Sequence, residues 1–486
     1  MSKSLADTAL NIAQLSGAEY ADIRIVDSLA ESILVKNQRL ESAHLESSAG
    51  FGVRVLLGGA WGFSSSRDLS ELEVERVTRE AVAIARASQL AQRRKVTLSP
   101  VSPARDTWAT PLTKDPFSIP LGEKLSLLDS AVGAMRSVAG VNLAEGAMNF
   151  WKTKTLFAST EGALIEQTIV HSGAGISATS IQDGDIQVRS YPNSFRGQYL
   201  SGGYEVIEAM KLAENAPRVA SESVALHSAK RCPSGVMTLI LDASQLGLQI
   251  HESCGHPAEL DRVLGSEINF AGTSFLTVDK LGQFRYGSSI VNLVADATQA
   301  TSPGGLGTFA YDDEGVPAQR VFLVRDGIFS GYLSSRETAA EISASSSGAM
   351  RASGWNRIPL VRMTNVSLLP GDSSLDEMIA STDEGIFMCT NRSWSIDDKR
   401  LNFQFGTEIG WLIRNGKLTE MVKNPTYTGV TPRFWGSCDA IAGPNEWVIW
   451  GTPNCGKGQP QQIMHTGHGA SPARFRNVSV GVAYGG

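Results

Sequence analysis

From Cys232 to the C terminus the apolar runs are short, and Gly, Pro, Asn or Asp repeatedly cuts them off. A chain punctuated in this way builds short strands joined by tight turns. Val236 to Leu241, Val321 to Val324, Phe329 to Leu333, Ile409 to Arg414, Trp447 to Trp450 and Val478 to Val482 read as strands. Asp326-Gly327 and Asn415-Gly416 read as hairpin turns. One segment departs from the pattern. Leu239 to Leu260 carries Leu246, Ile250 and Cys254 at i, i+4 spacing, with Asp242 or Ser244 placed to cap a helix. Residues 231–486 therefore read as a large β-rich domain built around one important helix.

The first half alternates differently. Met1 to Gly17 reads as an amphipathic helix, followed by strands at Ala21 to Val26, Ser32 to Lys36, Gly52 to Leu57 and Ala60 to Ser64. Gly58-Gly59 marks a hairpin between the last two, and Asp68 with Glu71 marks a helix start. Val74, Val77, Ala81 and Ile84 follow at helical spacing, completing an α/β segment over 1–95. Five prolines between Val96 and Pro120 exclude a regular helix and indicate a linker or extended arm over 96–120. A second α/β segment covers 121–230. It has a helix through Leu121, Leu125, Leu128, Val132 and Met135, strands from Val141 to Ser190, and a helical stretch from Tyr204 to Ala229. The fold class is α+β: an N-terminal sheet-plus-helix region, then the large β-rich domain carrying the helix within Leu239 to Leu260.

Composition excludes several functions. A formal net charge of −6 offers no basic field for nucleic acid and no polybasic segment for a membrane surface. No run approaches the roughly 18 uninterrupted apolar residues of a membrane span. The five cysteines are scattered, odd in number and form no CxxC, which argues against a disulfide framework and for a reducing, cytoplasmic compartment.

The chemistry concentrates in His251-Glu252-Ser253-Cys254-Gly255-His256. The familiar zinc helix, HExxH, sets its histidines four residues apart, close to one face. Here they are five apart, which on an ideal helix, at about 100° per residue, leaves them roughly 140° from each other. A straight helix cannot bring both imidazoles to one ion. Pro257 cannot complete the helical ladder, and Gly255 adds backbone freedom. A π-type bulge or a helix break is therefore expected within Ser253 to His256. The apolar stripe places Cys254 in the core.

A catalytic zinc needs a third protein ligand. Acidic residues are too numerous to choose among, and the softer candidates are Cys389, Cys438, Cys455, His465 and His468. Cys455 stands out in a Gly- and Pro-flanked turn where nearby Lys457 would favour its thiolate. His465 and His468 could be substitute ligands or donors to substrate, and Arg320 and Tyr311 could also face a reacting oxygen. Asp312, Asp313 and Glu314 form either a solvated turn or a shell that orients a metal-bound histidine.

These segments, taken together, resemble the TldD/PmbA family, specifically its TldD-like branch. The resemblance rests on GVRVLLGGAWGF at Gly52 to Phe63, HESCGH at His251 to His256, YDDEGVPAQR at Tyr311 to Arg320, RMTN at Arg362 to Asn365, CGKGQP at Cys455 to Pro460 and SPARFRNVSVG at Ser471 to Gly481. It implies a zinc-dependent peptidase acting on unfolded or small peptides, in maturation or degradation. His251, His256 and Cys455 would hold Zn²⁺ and Glu252 would be the catalytic base. It also implies a homodimer, or a heterodimer with a PmbA/TldE-like non-catalytic subunit. The alternatives are a non-catalytic, zinc-stabilised partner subunit and a zinc amidase acting on a modified small peptide.

Overall fold

Side-chain alternation along the first long strand sets the arrangement of the two halves. The structure, a computed structural model, describes residues 3–194, 196–298 and 303–481. Met1, Ser2 and Val482 of the expected helix and strand lie outside them. After helix α1 (Lys3–Leu15), strand β1 runs unbroken from Tyr20–Lys36, where the sequence reads as two shorter strands. It stays continuous because its backbone pairs along almost its whole length with β2 (Arg39–Leu57) on one side and β5 (Val141–Ser159) on the other. Backbone pairing does not need an apolar side chain at every second position.

The N-terminal sheet has eight strands. β3 (Ala60–Ser66) follows the Gly58-Gly59 turn, whose residues both have positive φ. Helix α2 (Glu71–Ser88) is capped by Ser70 rather than Asp68, whose carboxylate instead accepts the Ser70 N–H at 3.0 Å. The proline-rich arm is partly ordered as strand β4 (Arg105–Ala109), which pairs in parallel with β6 (Leu164–Gln182) and so becomes a sheet edge. Helix α3 (Leu121–Arg136) precedes β5; β7 (Asp185–Tyr191) and β8 (Gln198–Ser201) add to β6, and helices α4 (Glu205–Ala209) and α5 (Leu212–Ala225) complete this half.

Period-2 geometry gives β1 two different faces. Ile23 and Ile25 pack with α1 and α2, and Ile33 and Val35 pack with α3 and α5. Arg24, Val26, Ser28 and Ala30, on the other face, look towards the C-terminal half.

That half opens with β9 (Lys230–Arg231) and β10 (Gly235–Leu241). β10 pairs in parallel with Glu384–Ile396 and antiparallel with Ala473–Val480 in a second eight-stranded sheet. A four-stranded sheet and the hairpin Val448–Lys457/Gln462–Ala470 pack around the same core. The expected strand from Phe329 to Leu333 is shorter, Ile328–Phe329, because the chain leaves the Asp326-Gly327 hairpin after two pairs. With 24% helix and 43% strand, the fold is α+β.

The acidic triplet ties the halves together. Arg54 of β2 bonds Asp22 across the strand pair at 2.6 Å and Glu314 at 3.1 Å, all three buried. Asp312 accepts the N–H groups of Glu314, Val316 and Met350. Among the described residues none of the triplet hydrogen-bonds His251 or His256; Glu314 instead joins the two halves through Arg54.

Candidate metal centre

β10 ends at Leu241, Asp242 caps the next turn by accepting the Ser244 N–H at 2.7 Å, and helix α6 (Ala243–Ile250) follows. Leu246, Ile250 and Cys254 lie in the core, as their spacing predicts. Burial pushes the Cys254 thiol up to about 12, and its sulfur lies 2.9 Å from the Tyr286 hydroxyl, which donates to the Ser253 carbonyl at 2.7 Å. Cys254 is thus a neutral core residue.

His251–Gly255 forms a π turn, and His256–Ala258 a 3₁₀ turn. The His256 N–H returns to the His251 carbonyl, the i→i+5 bond that puts residues five apart one turn above each other. The two rings come to 4.8 Å between centroids. Gly255 matters for a different reason from backbone freedom: its φ is −70°, but a Cβ there would lie 2.0 Å from Met363 Sδ. Gly255→Ala is expected to cost about 1–3 kcal/mol of stability through overpacking, measured by denaturant unfolding. Unchanged stability would mean that Met363 yields freely.

The hairpin Val448–Lys457/Gln462–Ala470 brings Cys455 beside this turn. Its sulfur lies 3.7 Å from His256 Nε2, and the donor atoms of His251, His256 and Cys455 all fall within 4.8 Å of one another. Zinc–nitrogen and zinc–sulfur bonds of ordinary length at a tetrahedral angle would set nitrogen and sulfur about 3.6 Å apart. Cys389 and Cys438 are not part of this cluster.

Hydrogen bonds fix which imidazole nitrogens are free. His468 Nδ1 is 3.1 Å from the Val366 carbonyl, which can only accept, so Nδ1 carries the His468 proton. His468 Nε2 must then accept from His251 Nδ1 at 2.7 Å, which leaves His251 Nε2 with a lone pair. His256 Nδ1 donates to the Glu259 carboxylate at 2.9 Å, leaving its Nε2 likewise open. Such outer partners typically orient ligating histidines. Burial holds the pKa of both rings below the ordinary histidine value, which favours neutral, ligand-competent imidazoles.

Burial would raise the Cys455 thiol, but the Arg362 guanidinium and His256 outweigh it and lower its pKa. Arg362 also donates to the Cys455 carbonyl at 2.5 Å. Lys457 does not act as the sequence suggests: it pairs with Asp261 at 2.8 Å and Glu259 at 3.2 Å, fully buried. It thereby links the cysteine strand to the carboxylate that holds His256.

Glu252 lines a cavity of about 260 Å³ together with His251, His256 and Cys455. Its Oε2 meets Arg400 Nη1 at 2.5 Å. Sequence reasoning missed Arg400. It lies in an irregular turn with φ of +63°, roughly 150 positions away, and no spacing rule connects the two. His465 turns away from this cavity and contacts His171, while Tyr311 bonds Asp106 and Arg320 is half exposed beside Asp296. None of these three lines the cavity that holds Glu252.

Two family profiles match the chain: the PmbA/TldA metallopeptidase C-terminal domain over residues 234–482 and PmbA/TldA metallopeptidase domain 1 over 21–85. A metalloprotease of Methanocaldococcus jannaschii is 31% identical over 425 residues, covering 85% of this chain and 88% of the relative. A crystal structure from Thermotoga maritima superposes with a TM-score of 0.78 at 18% identity, over 99% of this chain and all of the other. The structure of TldE from Thermococcus kodakarensis gives 0.72 at 13% identity, over 98% and 99% of the two chains. At such identities these two likenesses concern the fold alone.

Proposed function

Because the chain belongs to the PmbA/TldD family and is a metallopeptidase, we propose that it is a zinc-dependent peptidase in which His251, His256 and Cys455 hold Zn²⁺ and Glu252 is the general base. The observation that carries the reading is the donor set: two neutral imidazoles and a thiol of lowered pKa, one donor atom of each residue lying within 4.8 Å of the others. Two nitrogens and one thiolate suit zinc and leave one position open. Bound there, Zn²⁺ would supply Lewis acidity and make water a nucleophile near neutral pH.

The chain's own residues do the rest. Glu252 is adjacent to a ligand on the π turn, and its Oε1 makes no hydrogen bond within the described chain. That oxygen is placed to take a proton from water and pass it to the leaving amine. Arg400, on the other oxygen, orients the carboxylate and sets a positive charge in the cavity where negative charge develops. A non-catalytic subunit would need no carboxylate in the cavity beside both histidines, so Glu252 favours the peptidase over that alternative. Substrates would be unfolded or small peptides, held by backbone pairing with an open strand edge of the β-rich domain.

The likeness to TldE supports assembly with a PmbA/TldE-like subunit or with a second copy. No helix among the described residues is long and apolar enough to cross a membrane. All five cysteines are free, which fits a cytoplasmic location.

Zinc analysis of the purified protein, paired with cleavage of an unfolded peptide, tests the reading; protein without metal that still cleaves would refute it. A finer test is His468→Phe, which removes the acceptor that fixes the His251 tautomer. Zinc affinity should fall about 10–100-fold, the usual effect of losing such a partner. Competition with a chelator measures it, and an unchanged affinity would show that His251 needs no such support.

A further inference from the structure

A second cavity, of about 370 Å³, lies between the two halves. It shares a wall with the candidate metal centre. On the strand Gln462–Ala470, Thr466 and His468 approach His251, while His465 lines the second cavity. The even-numbered face of β1, with Trp151 of β5 and His171 of β6, forms its other side.

Arg351 brings to this cavity a cation that no carboxylate pairs with directly; Asp313, on the same wall, attracts it only from beyond ion-pair distance. The residue is 8% exposed, and its Nη1 donates to the carbonyls of Met363 at 3.0 Å and His465 at 2.7 Å. Its Nε and Nη2 have no hydrogen-bond partner among the described residues, and no carboxylate there lies within ion-pair distance. Asp313, which also lines the cavity, is engaged by the Ala352 N–H at 2.7 Å and by Arg24 at 3.8 Å. A buried cation whose partners are neutral carbonyls is costly unless a counter-charge arrives.

The histidine pair adds a donor. His171 and His465 share a bond between their Nδ1 atoms at 2.8 Å, and that bond uses one proton. Whichever ring accepts it carries its own proton on Nε2, so the pair always presents one Nε2–H. His171 Nε2 is buried and unpartnered, and the residue is 6% exposed. Trp151 stands 4.5 Å from the His465 ring, and Phe309 lies 5.4 Å from the Arg351 guanidinium. The site therefore combines a free guanidinium edge, an imidazole donor and two aromatic walls.

We infer that this cavity binds a carboxylate on an apolar body, with its oxygens on Arg351 and the His171–His465 pair and its body against Trp151 and Phe309. A guanidinium edge matches a carboxylate's two oxygens. A monoanion supplies one counter-charge beside Arg351, whereas the second charge of a dianion would face Asp313, which lines the same cavity. The carboxylate could come from a free organic acid or from the C-terminal residue of a peptide.

Titration calorimetry on the full-length protein tests this with N-acetylphenylalanine, its primary amide, and a short peptide ending in phenylalanine. The acid should bind at least about 10-fold tighter than the amide, the margin expected for a hydrogen-bonded charge. Arg351→Gln should abolish that preference. Tighter binding of the peptide would identify a chain end as the source, and tighter binding of N-acetylphenylalanine a free acid. Equal affinity for acid and amide, no binding of either, or an Arg351→Gln protein that keeps the preference would overturn the inference. Should Arg351→Gln fail to fold, Trp151→Ala replaces it: acid binding should weaken several-fold, and unchanged binding would equally refute the site. The readout is binding, so it stands or falls separately from the peptidase reading.

Discussion

Replacing Glu252 with Gln is expected to leave zinc in place and lower peptide hydrolysis by about 10²–10⁴-fold, the range over which general acid–base catalysis usually contributes. The prediction separates holding the metal from doing chemistry. Glu252 is not one of the gathered donors, and both histidines are oriented by other groups, His468 and Glu259. Gln preserves the shape of the side chain and an acceptor for Arg400, but it cannot take a proton. Zinc content by atomic absorption and cleavage of an unfolded peptide, measured on one preparation, decide the matter. A variant that retains zinc and cleaves like the parent would remove Glu252 as the base. A variant that loses zinc would show that this carboxylate holds the centre together.

Replacing Cys455 with Ser is expected to remove most of the metal. A serine hydroxyl stays protonated where the thiol, facing Arg362 and His256, has a lowered pKa. The loss should exceed the roughly 10–100-fold caused by removing an outer partner. It should also be visible in stability. A ligand that binds only the native state stabilises it by mass action, so added zinc should raise the Tm of the parent protein and not that of the variant. An equal zinc-dependent shift in both would take Cys455 out of the site, leaving two histidines and an undiscovered donor.

Much of this centre was legible in the chain. Five-residue spacing followed by proline required a departure from the α-helix, and the π turn at His251–Gly255 is that departure. The i, i+4 stripe put Cys254 in the core. The hairpins at Gly58-Gly59, Asp326-Gly327 and Asn415-Gly416 followed from residues that tolerate positive φ. Proximity in sequence suggests Lys457 as an electrostatic partner for Cys455, but the buried acids Asp261 and Glu259 take its ammonium instead.

The sequence by itself determined what is local: the turns, the amphipathic faces, the need for a departure from the α-helix before Pro257, and a short set of candidate donors. Only the tertiary structure decided which distant groups meet. Arg400 on Glu252, Arg362 beside Cys455, His468 behind His251 and Arg351 against the His465 carbonyl all depend on pairings between segments roughly 90–220 residues apart. The physical reason is range. Backbone preferences and side-chain periodicity act over a few residues and leave a pattern that can be read. Electrostatic and hydrogen-bond partners are set by how sheets and hairpins stack, and that stacking leaves no spacing in the chain.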